Sequence, residues 1–191
     1  MPPPPAEVTL PGRAPPDVRV GRLRLRALDD GDAGLLMAMS RVDDIVRWTT
    51  IPADLDEVGA RARLQRMIAG FALNRLAVYA LEVEGSPVGT AGVGADAAGI
   101  EVFYAVLPVG RRQGVATAAA DALTDWALGA GAPTVRLLTF PDNAASQRVA
   151  VRAGFGPDGT VARTIKGVDV ELLCWRRAAS SAGEEPIEII L

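Results

Sequence analysis

Residues 100–117 read IEVFYAVLPVGRRQGVAT and contain the junction around which the rest of the chain is organised. The apolar residues before Pro108 predict a strand, and apolar residues from Val115 onward recur at helical spacing. Gly110 and Gly114 lie between them and permit a tight turn. The first amides of a helix lack intrahelical acceptors and, with the helix dipole, can hold a phosphate or pyrophosphate. The stretch therefore predicts an anion site, although an ordinary helix start explains the same residues equally well.

The chain before this junction has the pattern of an antiparallel meander. Strands are predicted over residues 76–83, 88–95 and 100–107, with turn-forming residues at 84–87 and 96–99 between them.

Upstream of the meander, the sequence predicts one strand and two helices. Period-two alternation of apolar residues with arginines favours a strand at residues 20–26. Acidic residues 29–32 can cap the first helix, and Asp54, with Glu57 in capping-box spacing, can open the second.

After the junction, helices and strands alternate. The helix that follows Gly114 is expected to stop at Gly129, before a strand at residues 135–140. A short helix from Asn143 follows, and two further strands precede the C-terminus. Antiparallel strands followed by strand–helix units predict a single α/β domain with a mixed, mainly antiparallel sheet flanked by helices on both faces.

Composition sets the domain limits and the expected tails. Apolar residues make up 49% of the chain, which is enough for a core, and half of the fourteen prolines lie in the first sixteen residues. We therefore expect a disordered tail at residues 1–17, a folded domain at 18–177 and a flexible tail at 178–191.

Several classes of function are excluded by residue counts. With no histidine and one cysteine, Cys174, the chain lacks the usual ligands of a zinc site and the base of a His-dependent triad. A net charge of −3 without a basic run argues against nucleic-acid binding, and no apolar run is long enough to span a membrane. These features predict a cytoplasmic protein without metal. We expect a monomer or a homodimer.

A second polar motif opens the short helix. Asn143 and Ser146 lie in its first turn, and the helix ends at Gly154-Phe155. The simplest role for Asn143 is a helix cap. Because the motif follows the Gly-rich junction by about one helix and one strand, both can also contribute to one site.

Together these motifs resemble the GNAT family of N-acetyltransferases, and within it the RimJ/RimL-like branch, over residues 22–176. The family signature Arg/Gln-x-x-Gly-x-Gly/Ala matches residues 111–116, and residues 101–108 are similar to the strand that usually precedes it. The later Asn-x-x-Ser helix ending in Gly-Phe matches residues 143–155. Phe103 departs from the pattern, since the family usually has glycine there, and is expected to narrow the acceptor side.

The resemblance implies that acetyl-CoA is the acetyl donor and lies between the strands at 100–107 and 135–140. The loop would hold its pyrophosphate, backbone groups at Val106 and Leu107 its pantetheine arm, and Asn143 its thioester end. The full set of residues implied for acetyl-CoA binding is Val106, Leu107, Arg111, Arg112, Gln113, Gly114, Val115, Ala116, Thr117, Asn143 and Ser146.

Catalytic roles are also implied for a few side chains. Ser146 would protonate the leaving thiolate, with Tyr104 as its substitute, and backbone amides of the strand at 100–107 would polarise the carbonyl. Glu101 is the first candidate for a general base acting through water, with Asp169 and Glu171 behind it.

Three functions remain open at the level of sequence. The first is acetylation of the N-terminal α-amine of a protein or peptide, for which the segment from Trp48 to Pro52 would line the acceptor groove. The second is acetylation of a small amine, and the third is an acyl-CoA-binding sensor or scaffold without turnover. A pure binder needs the loop but not the hydroxyl of Ser146, which argues against the third.

Overall fold

One eight-stranded sheet organises the residues described in the computed structural model, which are 9–15 and 17–179. Its spatial order is β1-β2-β3-β4-β5-β6-β8-β7, and neighbouring strands are antiparallel except for the parallel pair β5 and β6. The strands are β1 (Asp17–Val20), β2 (Leu23–Ala27), β3 (Leu76–Val83), β4 (Ser86–Asp96), β5 (Gly99–Val106), β6 (Thr134–Thr139), β7 (Gly156–Ile165) and β8 (Val168–Ala178).

Helices cover both faces of this sheet, as predicted. They are α1 (Ala33–Ser40), α2 (Asp43–Trp48), α3 (Glu57–Ala72), α4 (Val115–Gly129) and α5 (Ala144–Arg152), with 3-10 turns at Asp30–Asp32 and Pro108–Gly110. No helix in the described part of the chain is long and apolar enough to cross a membrane.

Two apolar clusters separate the faces of the sheet. Successive residues of β3 alternate between them: Tyr79 belongs to the cluster with Leu123 of α4, and Val78 to the cluster with Leu36 of α1 and Leu64 of α3. This alternation is the period-two geometry of a strand, and it makes β3 a buried strand covered on both sides.

The structure confirms the predicted fold class and corrects several boundaries. The strand expected at residues 20–26 is a hairpin, because Gly21 adopts a φ of 57° and reverses the chain between β1 and β2. The helix expected from Asp54 begins at Glu57, since Asp56 caps it by accepting a hydrogen bond from the Gly59 amide at 2.7 Å. Helix α2 was not predicted.

The segment before β1 packs against the domain. Leu10 and Ala14, which composition placed in the tail at residues 1–17, have exposures of 4% and 5% and belong to the core cluster around α4. The Leu10 amide donates to the Asn74 carbonyl at 2.8 Å, so an apolar side chain and a backbone bond hold this extended segment. Residues 1–8, 16 and 180–191 of the expected tails lie outside the described residues.

Candidate active site

A cleft opens where β5 and β6 separate. The two strands pair only at Ile100 with Val135 and at Glu101 with Arg136. Beyond these pairs β6 has no further pairing with β5, although its other edge is bonded to β8 from Thr134 to Thr139. The carboxyl-terminal half of β5 therefore has no strand beside it on that side. The resulting cavity has a volume of about 1030 Å³. A ligand at this place would lie at the carboxyl ends of parallel strands, the usual position for binding in open α/β sheets.

One backbone amide near the end of β5 faces this cleft. The Leu107 amide donates to the Val88 carbonyl at 2.8 Å, which uses the group on the β4 side. Because neighbouring residues of a strand point their backbone groups in opposite directions, the Val106 amide faces the cleft. Hydrogen bonding to the pantetheine arm is expected at both Val106 and Leu107. The Val106 amide is available for it, whereas the Leu107 amide is already bonded.

The loop after β5 presents the start of α4 to the cavity. Arg112 and Gly114 have φ angles of 61° and 76°, and Gly114 is the N-cap of α4 without a side-chain capping bond. The first hydrogen bond within the helix joins the Ala118 amide to the Gly114 carbonyl. The amides of residues 115–117 therefore have no acceptor within the helix. A Cβ atom at Gly114 would meet nothing within 4 Å. The loop thus has the features of an anion site, with helix amides that lack intrahelical acceptors beside open space at Gly114.

Arg111 fastens this loop to the rest of the domain. Its Nη1 and Nη2 donate to the two Asp44 carboxylate oxygens at 2.7 and 2.8 Å, and its Nε donates to the Val106 carbonyl at 3.0 Å. Hydrogen bonding by Arg111 lowers the pKa of Asp44 below its usual range. The Arg111 side chain therefore joins β5, the loop and α2. Asp44 is a site residue that sequence reasoning missed, because its partner lies 67 positions away.

Two hydroxyl groups meet across the cleft. The Asn143 Oδ1 caps α5 by accepting from the Ser146 amide at 3.1 Å, which fixes the first turn of the helix. The Ser146 Oγ then lies 2.7 Å from the Tyr104 Oη of β5. Burial raises the pKa of Tyr104 to about 12, partly opposed by its bond to Ser146, so this phenol is protonated at neutral pH. The two predicted proton donors form one hydrogen-bonded pair.

Glu101 lies in a cluster of two carboxylates and two arginines. Its Oε2 accepts from the Arg163 Nη2 at 2.7 Å and is 3.2 Å from the Arg136 Nη2, and Asp96 pairs with the same two arginines. Burial raises the pKa of Glu101, and the charges of Arg163 and Arg136 oppose the rise.

The two further candidates for the general base lie outside the cavity. Asp169 and Glu171 are exposed on β8, where each accepts a hydrogen bond from a threonine of β7. Neither lines the cavity.

Aromatic residues line the cavity at the end of α2 and just after β6. The Trp48 ring lies with its centroid 5.2 Å from that of Phe140 at the end of β6, and the Arg47 guanidinium carbon lies 4.2 Å from the Trp48 centroid. The Lys166 ammonium, at the tip of the β7–β8 hairpin, donates to the Val46 carbonyl of α2. Trp48, the three residues after it and Phe103 line the cavity.

Eleven of the thirteen residues expected for binding or catalysis line this one cavity. The two exceptions are Leu107, whose amide is bonded to Val88, and Gln113, whose side-chain nitrogen donates to the Val109 carbonyl at 2.9 Å and braces the loop from outside. The structure therefore brings both sequence motifs to the same cleft.

Comparison with known proteins identifies the family. The model of the acetyltransferase (GNAT) domain matches residues 22–156. No curated protein sequence matches the chain.

Among similar solved structures, RimJ of Mycobacterium smegmatis in complex with a CoA disulfide is 20% identical, with a TM-score of 0.71 and a match covering 88% of each chain. An acetyltransferase of Salmonella typhimurium that modifies the N-terminal serine of ribosomal protein L7/L12 is 18% identical, with a TM-score of 0.72 over 83% of this chain and 96% of the other. The microcin C7 self-immunity acetyltransferase MccE, in complex with acetyl-CoA and AMP, is 15% identical, with a TM-score of 0.77 over 87% and 98%.

At these identities the solved structures establish a shared fold, and the family model covers most of the domain. The chain belongs to the GNAT family of N-acetyltransferases.

Proposed function

We propose that the protein transfers the acetyl group of acetyl-CoA to the α-amine at the N-terminus of a peptide or protein. The observation that carries the proposal is the state of the carboxylates in the cavity. All three that line it are ion-paired with arginine: Asp44 with Arg111, and both Asp96 and Glu101 with Arg136 and Arg163. Ion pairing favours the charged form of a carboxylate: it lowers the pKa of Asp44 and opposes the rise that burial causes in the pKa of Glu101. The favoured acceptor is therefore the amine that costs least to deprotonate.

The free energy of deprotonation separates the two kinds of protein amine. A lysine side chain with a pKa of about 10.4 costs roughly 4.6 kcal/mol to neutralise at pH 7. An α-amine with a pKa of about 7.7 to 8.0 costs only about 1 to 1.4 kcal/mol. The modest base in this cavity suits the α-amine. The fold shared with the Salmonella typhimurium enzyme, which modifies an N-terminal serine, supports the same assignment.

The residues of the cleft fit the parts of acetyl-CoA. The amides of Val115, Ala116 and Thr117 would bind the pyrophosphate, and the Val106 amide would orient the pantetheine arm. Asn143 uses its side-chain oxygen as the cap of α5, which leaves its amide nitrogen to donate near the thioester. The resemblance to RimJ and MccE, which were solved with a CoA disulfide and with acetyl-CoA, supports this placement.

When bound, acetyl-CoA supplies an activated acyl group in a thioester. The amine nitrogen bonds to the carbonyl carbon while the carbon–sulfur bond breaks, so the sulfur leaves as a thiolate that needs a proton. Ser146 would donate that proton from its Oγ and recover one from Tyr104, 2.7 Å away, and Tyr104 would regain its proton from solvent. Amides of β5 would polarise the carbonyl. Glu101, through water, would take the surplus proton of the amine.

Small amines are the alternative acceptors. The likeness to MccE, which was solved in complex with acetyl-CoA and AMP, supports this alternative. A sensor without turnover would not require the hydroxyl pair of Ser146 and Tyr104.

A mixed panel of amines tests the assignment. The protein and acetyl-CoA are incubated with peptides that begin with free Ala or Ser, with N-terminally blocked lysine peptides and with a polyamine, and mass spectrometry locates the added acetyl group. We expect acetylation at the α-position, with internal lysines unmodified near pH 7. Faster reaction of blocked lysine peptides or of the polyamine would contradict the proposal and favour the small-amine alternative.

A further inference from the structure

Arg63 of α3 lacks the acidic partner that other half-buried arginines have. Its Nη2 donates to the Thr50 hydroxyl at 2.9 Å, and its Nε is buried without a hydrogen-bond partner among the residues that the structure describes. No carboxylate in residues 9–15 or 17–179 forms an ion pair with it. By contrast, six other arginines that are at least partly buried each pair with a carboxylate: Arg24, Arg26, Arg111, Arg136, Arg163 and Arg177.

The surroundings of Arg63 are positively charged. Seven arginines and three carboxylates line the cavity, and all three carboxylates are paired with arginines other than Arg63. Burial and the nearby charge of Arg66 lower the pKa of Arg63. Burial, followed by the charge of Arg63, also lowers the pKa of Lys166, whose ammonium bonds to the Val46 carbonyl. Two cations without acidic partners in the described chain therefore lie near each other.

The position of Arg63 places its positive charge beside the segment from Trp48 to Pro52, which is expected to line the acceptor groove. Arg63 bonds to Thr50, two residues after Trp48, and all three line the cavity, whereas the loop proposed to bind the pyrophosphate lies at the start of α4. Two parts of the cavity thus offer separate positive sites, one made of backbone amides and one made of a guanidinium.

An unpaired guanidinium that is partly withdrawn from water is unfavourable unless a ligand completes its hydrogen bonds. Of its five N–H donors, the Thr50 hydroxyl uses one. The planar fork matches the two oxygens of a carboxylate, and such charge-assisted bonds are stronger than neutral ones.

We infer that Arg63 determines acceptor specificity by binding an anionic group, and that the preferred acceptor carries a carboxylate close to its reacting amine. For a peptide, this is an acidic side chain directly behind the free N-terminus. The inference rests on the proposed function, because it concerns the acceptor of the same cavity.

Matched peptides test the inference. Two peptides that differ only at the second residue, Ala-Asp and Ala-Asn at their N-termini, are compared by kcat/KM for acetyl transfer. We expect the wild-type protein to favour the Asp peptide by about tenfold or more, as charge-assisted bonds suggest. Arg63→Gln should reduce this preference to within about twofold, mainly by slowing the Asp peptide. Arg63→Lys should retain part of it.

Arg61→Gln is the control variant on the same helix. Arg61 is exposed and pairs with Glu57 at 2.7 Å, so its loss should leave the preference unchanged. Thermal melting with and without CoA establishes that each variant is folded and binds the co-substrate. Equal rates with the two peptides in the wild type, or an undiminished preference in Arg63→Gln, would overturn the inference.

A pair of small amines separates this inference from the proposed function. β-Alanine and β-alaninamide differ only in the carboxylate. If peptides are inert but β-alanine reacts faster than its amide, and Arg63→Gln removes the difference, the anion site is supported and the α-amine assignment fails. If both peptides react equally well at the α-amine, the proposed function stands and the role of Arg63 is refuted.

Discussion

At the scale of single residues, the hydroxyl pair determines how a proton can reach the sulfur. Each hydroxyl has one proton, so in the bond between Ser146 and Tyr104 only one of the two donates and the other is free to donate elsewhere. Because burial holds the pKa of Tyr104 at about 12, the phenol retains its proton at neutral pH. A donation from Ser146 to the sulfur can then be balanced by a donation from Tyr104 to Ser146.

Replacing Ser146 tests this order of donors. We expect Ser146→Ala to lower kcat by about 10² to 10⁴, the usual effect of losing a positioned acid, with little change in CoA affinity. Tyr104→Phe should have a smaller effect, since Ser146 can recover its proton from water. Steady-state kinetics and CoA binding measure both. An unchanged kcat in Ser146→Ala together with a large loss in Tyr104→Phe would make Tyr104 the direct donor.

The pH profile tests the protonation state of the same pair. A proton donor fails when the pH rises above its pKa, so the raised pKa of Tyr104 moves that loss to strongly alkaline pH. The acceptor amine must be neutral, which makes kcat/KM rise with pH until the α-amine pKa of about 7.7 to 8.0. We therefore expect a plateau from about pH 8 to at least pH 10, measured with an N-terminal Ala peptide. A decline between pH 8 and 9 would contradict this assignment.

At the scale of elements, α2 links the loop proposed to bind the pyrophosphate with the groove proposed to bind the acceptor. Asp44 in its first turn holds Arg111 of the loop, and Trp48 at its end contacts Phe140 on the acceptor side. Lys166 and Asp142 bind the carbonyl of Val46 and the side chain of Arg47. A helix of six residues is too short to be stable alone, so these contacts hold it in place.

Two substitutions in α2 should separate its two functions. Asp44→Asn removes the carboxylate paired with Arg111, and because this pair is partly exposed we expect a loss of at most about 1 kcal/mol, or about fivefold in the KM for acetyl-CoA. Trp48→Ala should instead raise the KM of the acceptor more than that of acetyl-CoA. Equal effects of both variants on both substrates would show that α2 acts only as a structural support.

The same elements show what sequence could predict. The meander, the junction at Gly114 and the cap at Asn143 are local patterns, and the structure confirms them together with the fold. The family model confirms the family and the enzyme class. Helix α2 has too few residues for a periodic signal. Asp54 and Asp56 offer the same capping chemistry, and the choice between them depends on packing. Asp44, the partner of Arg111, and Arg163, a partner of Glu101, lie more than 60 positions away, beyond any spacing rule.

At the scale of the whole molecule, the order of the strands keeps the cleft open. β6 is bonded to β8 along one edge from Thr134 to Thr139, while its other edge pairs with β5 only at Val135 and Arg136. The apolar clusters on the two faces hold the helices that border the opening. The site is therefore formed by the folded sheet before any ligand binds. A ligand that needs this geometry binds the folded state alone, and its binding free energy adds to stability.

CoA should accordingly raise the melting temperature, and Gly114 provides the means to show where it binds. At a hundredfold excess over Kd the gain is about 2.7 kcal/mol, or roughly 5 to 10 °C for a chain of this size. Gly114→Asp and Gly114→Asn are a matched pair, because both residues tolerate the left-handed backbone found there and differ mainly in charge. We expect the Asp variant to lose the shift, since its carboxylate would face the pyrophosphate, and the Asn variant to retain part of it. A full shift in Gly114→Asp, measured against its own melting temperature without ligand, would place the pyrophosphate away from this loop.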